Sequence, residues 1–202
     1  MTPAAVWSAA ALGAFHGLNP AMGWLFAVAL GLQEHRRGAV LAALVPIAAG
    51  HAASVAVVGL ALAAAGLAVP LRDLRLAAAV VLIAFGLFRL LRPYAHPRWV
   101  GMRVGFRDLV LWSFVMASAH GAGLMLAPVF LGLPGPAGHV HAGGGLVILA
   151  VHTAAMFFVM GAVALAIYET VGLALLRRAW VNLDLVWAAA LLVVGAAMLV
   201  IG

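Results

Sequence analysis

The chain contains no cysteine and no lysine, and its acids are only Glu34, Asp73, Asp108, Glu169 and Asp184. Without cysteine there is no disulfide framework, no thiolate metal site and no dithiol electron relay. With so few carboxylates, and Glu169 about seventeen residues past the nearest intramembrane histidine, a hard cation such as magnesium or calcium lacks its oxygen ligands. Charge is scarce altogether: 8% of the 202 residues are charged and 67% are hydrophobic, whereas soluble globular domains are about 25% charged. This composition describes an all-α polytopic protein whose main partner is the lipid bilayer. The positive charge resides in arginines alone; in an apolar chain such charge orients loops and gives no sign of nucleic-acid binding. The N-terminus lacks the basic segment of a cleavable signal, and its first apolar run outlasts one, so it reads as a retained span.

What the chain does have is six apolar runs, at about 6–32, 39–65, 74–91, 109–133, 145–176 and 184–201. Four of them carry a single histidine each: His16, His51, His120 and His152. An unpaired polar side chain in hydrocarbon costs several kcal/mol, so each histidine is expected to face protein, water or a ligand. The stretch MASAHGAGLMLAP (116–128) combines His120 with Gly121, Met125 and Pro128, and FHGLNPAMGW (15–24) combines His16 with Gly17, Pro20 and Met22. Proline removes a backbone donor and biases the preceding residue away from helix, so a break is expected beside His16 at Asn19-Pro20, Pro46 reads as a second helix breaker five residues ahead of His51, and Pro128 as another in span four.

Two halves repeat one order, histidine span, histidine span, plain span, with His16 and His51 in the first and His120 and His152 in the second. LRLAAAVVLIAFG (74–86) matches LDLVWAAALLVVG (183–195) in character. The expected organisation is a three-span repeat over 1–91, a basic cytoplasmic linker at 92–108, and a second three-span repeat over 109–202. Loops after spans one, three and five hold Arg36, Arg37, Arg89, Arg92, Arg98, Arg103, Arg107, Arg177 and Arg178, whereas those after spans two and four hold Arg72 and Arg75. The positive-inside rule then puts both termini outside the cytoplasm of a bacterial-type inner or plasma membrane, and with them the loop carrying His139 and His141. His35 and His96 fall in basic loops and read as interfacial residues. Three spans per half invert the second repeat relative to the first, as in many secondary transporters whose site lies at the repeat interface.

This pattern resembles the superfamily of six-span, inverted-repeat carriers that includes the lysine exporters, the nickel/cobalt exporters and the membrane domain of the thiol-disulfide electron carriers. The resemblance rests on two three-span halves with Pro20 in span one and Pro128 in span four. It implies a fold and a transport role. The chain departs from the nickel/cobalt exporters in having Ala21, not aspartate, five residues after His16, and from the electron carriers in having no cysteine pair.

Four imidazoles converging near the midplane would suit a transition metal ion, zinc, nickel, cobalt or copper. Met22, Met125 and Met156 would add soft thioethers, and Asn19 and Ser118 would orient rings or touch substrate. The expected function is a small secondary carrier of such an ion by alternating access, or of a small solute coupled to protons through histidine, whose ordinary pKa is about 6.5. Alternatives are a zinc-dependent intramembrane hydrolase supported by Ser118, which lacks a nearby carboxylate base, and a haem protein with two axial histidines. A purely structural role for the histidines predicts lost stability without lost binding. Assembly as a homo-oligomer is left open by the sequence.

Overall fold

The computed structural model describes residues 2–91, 105–133, 142–170 and 180–201. Most of the expected linker (92–104), with His96, and the segments bearing His139, His141, Arg177 and Arg178 lie outside the described residues. Among the described residues the chain is all-helical, with no strand: α1 (Pro3–Leu18), a 3₁₀ turn (Pro20–Met22), α2 (Trp24–Glu34), α3 (Arg37–Ala65), α4 (Leu71–Leu91), α5 (Phe106–Ala119), α6 (Ala122–Met125), α7 (Ala127–Leu131), α8 (Ala142–Thr170) and α9 (Trp180–Ile201). Three helices among the described residues are long and apolar enough to cross a membrane: Arg37–Ala65, Leu71–Leu91 and Gly143–Thr170. Large apolar side chains lie on the surface as well as in the core. Trp7, Leu60, Leu91, Phe158 and Val200 are exposed, while His16, His51, His120 and His152 are buried. Such an arrangement is compatible with a hydrocarbon solvent.

Local chemistry explains where helices start and stop. Thr2 accepts from the Ala5 amide at 3.3 Å and Pro3 opens α1, a position that needs no N–H. The expected break at Asn19-Pro20 is present: Asn19 is extended ahead of the proline, and its Oδ1 accepts from the Ala21 amide at 2.9 Å, capping the 3₁₀ turn. Pro46, read as a breaker, leaves α3 continuous from Arg37 to Ala65, and the interruption expected at Pro128 falls elsewhere. The chain turns at His120-Gly121, with Gly121 at φ +69°, and Pro128 sits harmlessly in the first turn of α7. Glycine supplies the left-handed turn at little cost, and a first-turn proline loses no helical hydrogen bond. Each interrupted tract leaves carbonyls without helical partners, and a tryptophan serves each. The Trp24 indole donates to Leu18 O at 3.3 Å, and the Trp187 indole to His120 O at 2.6 Å.

Close helix pairs set the frame. A Cβ on Gly13 would strike the His152 carbonyl, and one on Gly17 would lie 2.6 Å from Met156 O, so α1 runs parallel to α8 at close approach. Gly50 likewise meets Val110 and Phe114, and Ser54 Oγ meets Ser118 Oγ at 2.8 Å, so α3 runs parallel to α5. Gly86 faces Leu191 and Leu192 while Gly195 faces Ile83 and Leu82, so α4 and α9 are antiparallel. Arg37 pairs with Glu169 at 3.0 Å, joining the start of α3 to the end of α8. Arg75 donates to Leu131 O at 3.0 Å, joining the start of α4 to the end of α7.

Candidate metal centre

His16 lies in the last turn of α1, His51 midway along α3 and His152 in the second quarter of α8. The close approach of α1 to α8 and of α3 to both α5 and α8 brings their rings together. Their ring nitrogens offer three ligand atoms within 4.8 Å of one another, all from buried residues. Ring centroids lie 4.8 Å apart for His16 and His152, 5.3 Å for His16 and His51, and 5.4 Å for His51 and His152.

Backbone contacts fix which nitrogens face inward. His16 Nδ1 donates to Leu12 O at 2.7 Å, and His152 Nδ1 to Ala9 O at 3.3 Å across the helix pair. Both rings therefore carry their proton on Nδ1 and present Nε2 as a lone pair. His16 Nε2 is buried with no hydrogen-bond partner. His152 Nε2 faces His51 Nε2 at 3.2 Å. That distance serves two chemical states. Without an ion, His51 donates the hydrogen bond. With metal–nitrogen bonds of about 2.0–2.1 Å at tetrahedral angles, two ligand nitrogens stand roughly 3.3–3.4 Å apart, nearly the same spacing. A carbonyl behind each of two imidazoles is the usual device for orienting metal-binding histidines.

The fourth histidine expected in this cluster is not in it. His120 Nδ1 donates to Met116 O at 2.8 Å, repeating the His16 bond one turn back along its own helix. Its Nε2, however, faces the Arg89 guanidinium at 3.5 Å. Trp187 packs edge-on against both, its ring centroid 4.6 Å from His16 and 5.9 Å from His120, and Phe15 stacks on it at 5.2 Å. Neither Arg89 nor Trp187 figured among the expected site residues. Arg89 reads in sequence as a loop anchor at a helix end and Trp187 as scaffold. The available signal was a tryptophan well inside an apolar run, where its N–H requires a partner.

The remaining candidates have contacts of their own. Asn19 caps the 3₁₀ turn. Ser118 donates to Phe114 O at 2.8 Å and bonds Ser54, tying α5 to α3. Met22 is buried in the 3₁₀ turn. Met125 is buried with Leu131 and Trp187, and Met156 with Leu44 and Trp24. Glu34, Asp73, Asp108 and Glu169 are all exposed, and the three imidazoles form a neutral, purely nitrogen donor set. Such donors suit zinc, copper, nickel or iron, and offer no general base. No family model, curated protein or solved structure matches the chain.

Proposed function

We propose that the chain is a small secondary carrier of a transition-metal ion, built as two inverted three-span repeats, with His16, His51 and His152 as the binding centre between them. The observation that carries this reading is that the cluster draws His16 and His51 from the first half of the chain and His152 from the second. Rocking one half against the other therefore changes the ligand set, as alternating access requires.

The pairing of helices supports the repeat. Exchanging the halves turns the parallel pair α1 and α8 into the parallel pair α5 and α3, and returns the antiparallel pair α4 and α9 to itself. It also turns the interrupted tract after His16 into the one after His120, each with its Nδ1 bonded four residues back. A cavity of about 490 Å³ near the N-terminal end of α1 is lined by Ser8, Leu12, Arg75, Met125, Pro128 and Met198. Leu12, at its edge, holds His16 through its carbonyl. On the other side of the cluster Trp24, Val28, Leu44, Ile47 and Met156 are packed shut. The ion thus enters from the N-terminal face, binds between the halves, and leaves when the packed side opens. Haem is disfavoured because Nε2 atoms 3.2 Å apart leave no room for a macrocycle between His51 and His152. Hydrolysis is disfavoured because the exposed Glu34, Asp73, Asp108 and Glu169 offer no base beside the rings.

The test is ion flux into vesicles containing the purified chain and a trapped metal-sensitive dye. Flux above empty vesicles, abolished by His152→Ala and His51→Ala, supports the carrier. Equal flux in both variants and the parent refutes it.

A further inference from the structure

We infer that the ion carried is soft and monovalent, copper(I), and that buried thioethers on both sides of the imidazoles conduct it; this rests on the carrier reading above. The first observation is charge. The three imidazoles are neutral, Glu34, Asp73, Asp108 and Glu169 are all exposed, and the one buried arginine side chain among the described residues is the Arg89 guanidinium. Charging an ion in a low-dielectric interior costs in proportion to the square of its charge, so a divalent ion here costs about four times a monovalent one. Nothing among the donors offsets the second charge.

The second observation is where the methionines lie. Met156 and Met160 follow His152 on α8 at intervals of four, which puts all three on one face of the helix. Both are completely buried, with Leu44 and Val28, on the packed side of the cluster. On the open side Met125 and Met198 line the cavity that Leu12 also lines. Imidazole at the centre with thioether before and after it grades the ligand softness along one line. Thioether and imidazole are the donors that copper(I) accepts, whereas zinc, nickel and cobalt gain little from thioether. Copper enters and leaves in the same oxidation state, so no electron donor is required.

The test uses the full chain in detergent, equilibrated anaerobically with copper(I) held by a competing chelator, with silver(I) as a redox-inert probe of the same charge, and separately with zinc, nickel and cobalt. The expected result is one copper(I) or silver(I) per chain, held at least about tenfold more tightly than any of the divalent ions. In vesicles, Met156→Leu and Met125→Leu are expected to keep that stoichiometry while slowing silver flux severalfold. A divalent ion bound as tightly as silver overturns the monovalent assignment and leaves the carrier reading standing. Silver flux unchanged in both methionine variants overturns the thioether path. No bound ion of either class overturns both the inference and the reading it rests on.

Discussion

Gly17→Ala tests whether the α1–α8 approach sets the geometry of the histidine cluster. The added Cβ would lie 2.6 Å from Met156 O, 3.0 Å from Met160 N and 3.0 Å from Val159 Cβ, where ordinary contact begins at 3.4 Å. Two of the three obstacles are helix backbone, which cannot swing aside, so α1 must retreat from α8 by about 0.8 Å. Metal–ligand distances tolerate roughly 0.2 Å. His16 moves with α1 and His152 stays with α8, so the retreat exceeds that tolerance severalfold. Overpacking of this kind costs about 1–3 kcal/mol, against about 1 kcal/mol gained from replacing glycine in a helix. The net expectation is a fall in thermal midpoint of up to about 8 °C, read by intrinsic tryptophan fluorescence in detergent. Metal affinity is expected to fall about 10- to 100-fold, the usual penalty for disturbing the support of a ligand. Gly38→Ala is the control, because nothing lies within 4 Å of a Cβ there. A Gly17→Ala protein that melts higher than the parent and binds metal equally well would refute the claimed close packing.

Trp187→Phe keeps an aromatic ring against His16 but removes the donor to His120 O; a loss of about 1–3 kcal/mol is expected in unfolding measurements, and no loss would mean the 2.6 Å bond contributes nothing. Arg37→Gln breaks an ion pair whose side chains are 70% and 42% exposed, so stability should change by less than about 1 kcal/mol, and less still at high salt. Because the three imidazoles are neutral before binding, isothermal titration near neutral pH in buffers of different protonation enthalpy should record almost no proton release; release of two or three protons per ion would mean that the empty site holds charged histidines and would contradict the neutral donor set. Because the chain has no cysteine, single cysteines at Thr2 and Arg37 can report sidedness. The arginine distribution predicts labelling of the first only from outside the cell and of the second only from the cytoplasm.

The parts of this site that sequence revealed are those where a residue type conflicts with its surroundings. A histidine inside an apolar run has no inexpensive place in lipid, so His16, His51 and His152 announced themselves as buried, and Asn19-Pro20 announced a break because proline cannot continue a hydrogen-bond ladder. Depth and neighbours were not encoded in that way. His120 shares with His16 the following glycine and the bond four residues back, so the two look equivalent in one dimension. They differ because α9 brings the Trp187 indole to the His120 carbonyl and α4 delivers Arg89 to the His120 ring, contacts made by residues 67 and 31 positions away. Arg89 sits near a helix end, where an arginine ordinarily anchors a loop, and spacing alone does not reveal that its side chain is 2% exposed. Sequence points to Pro128 for the break that falls at Gly121, because proline is the stronger helix breaker in general. In the first turn of a helix it breaks nothing.

The most direct test of the metal centre is elemental analysis of the purified chain after metal loading and gel filtration, with His16→Ala, His51→Ala, His152→Ala and His120→Ala prepared identically. The account predicts close to one ion per chain in the parent and in His120→Ala, and loss of the ion in His51→Ala and His152→Ala, with His16→Ala retaining it weakly or not at all. A parent chain with no more metal than the buffer, or a His152→Ala chain that holds as much as the parent, would contradict it.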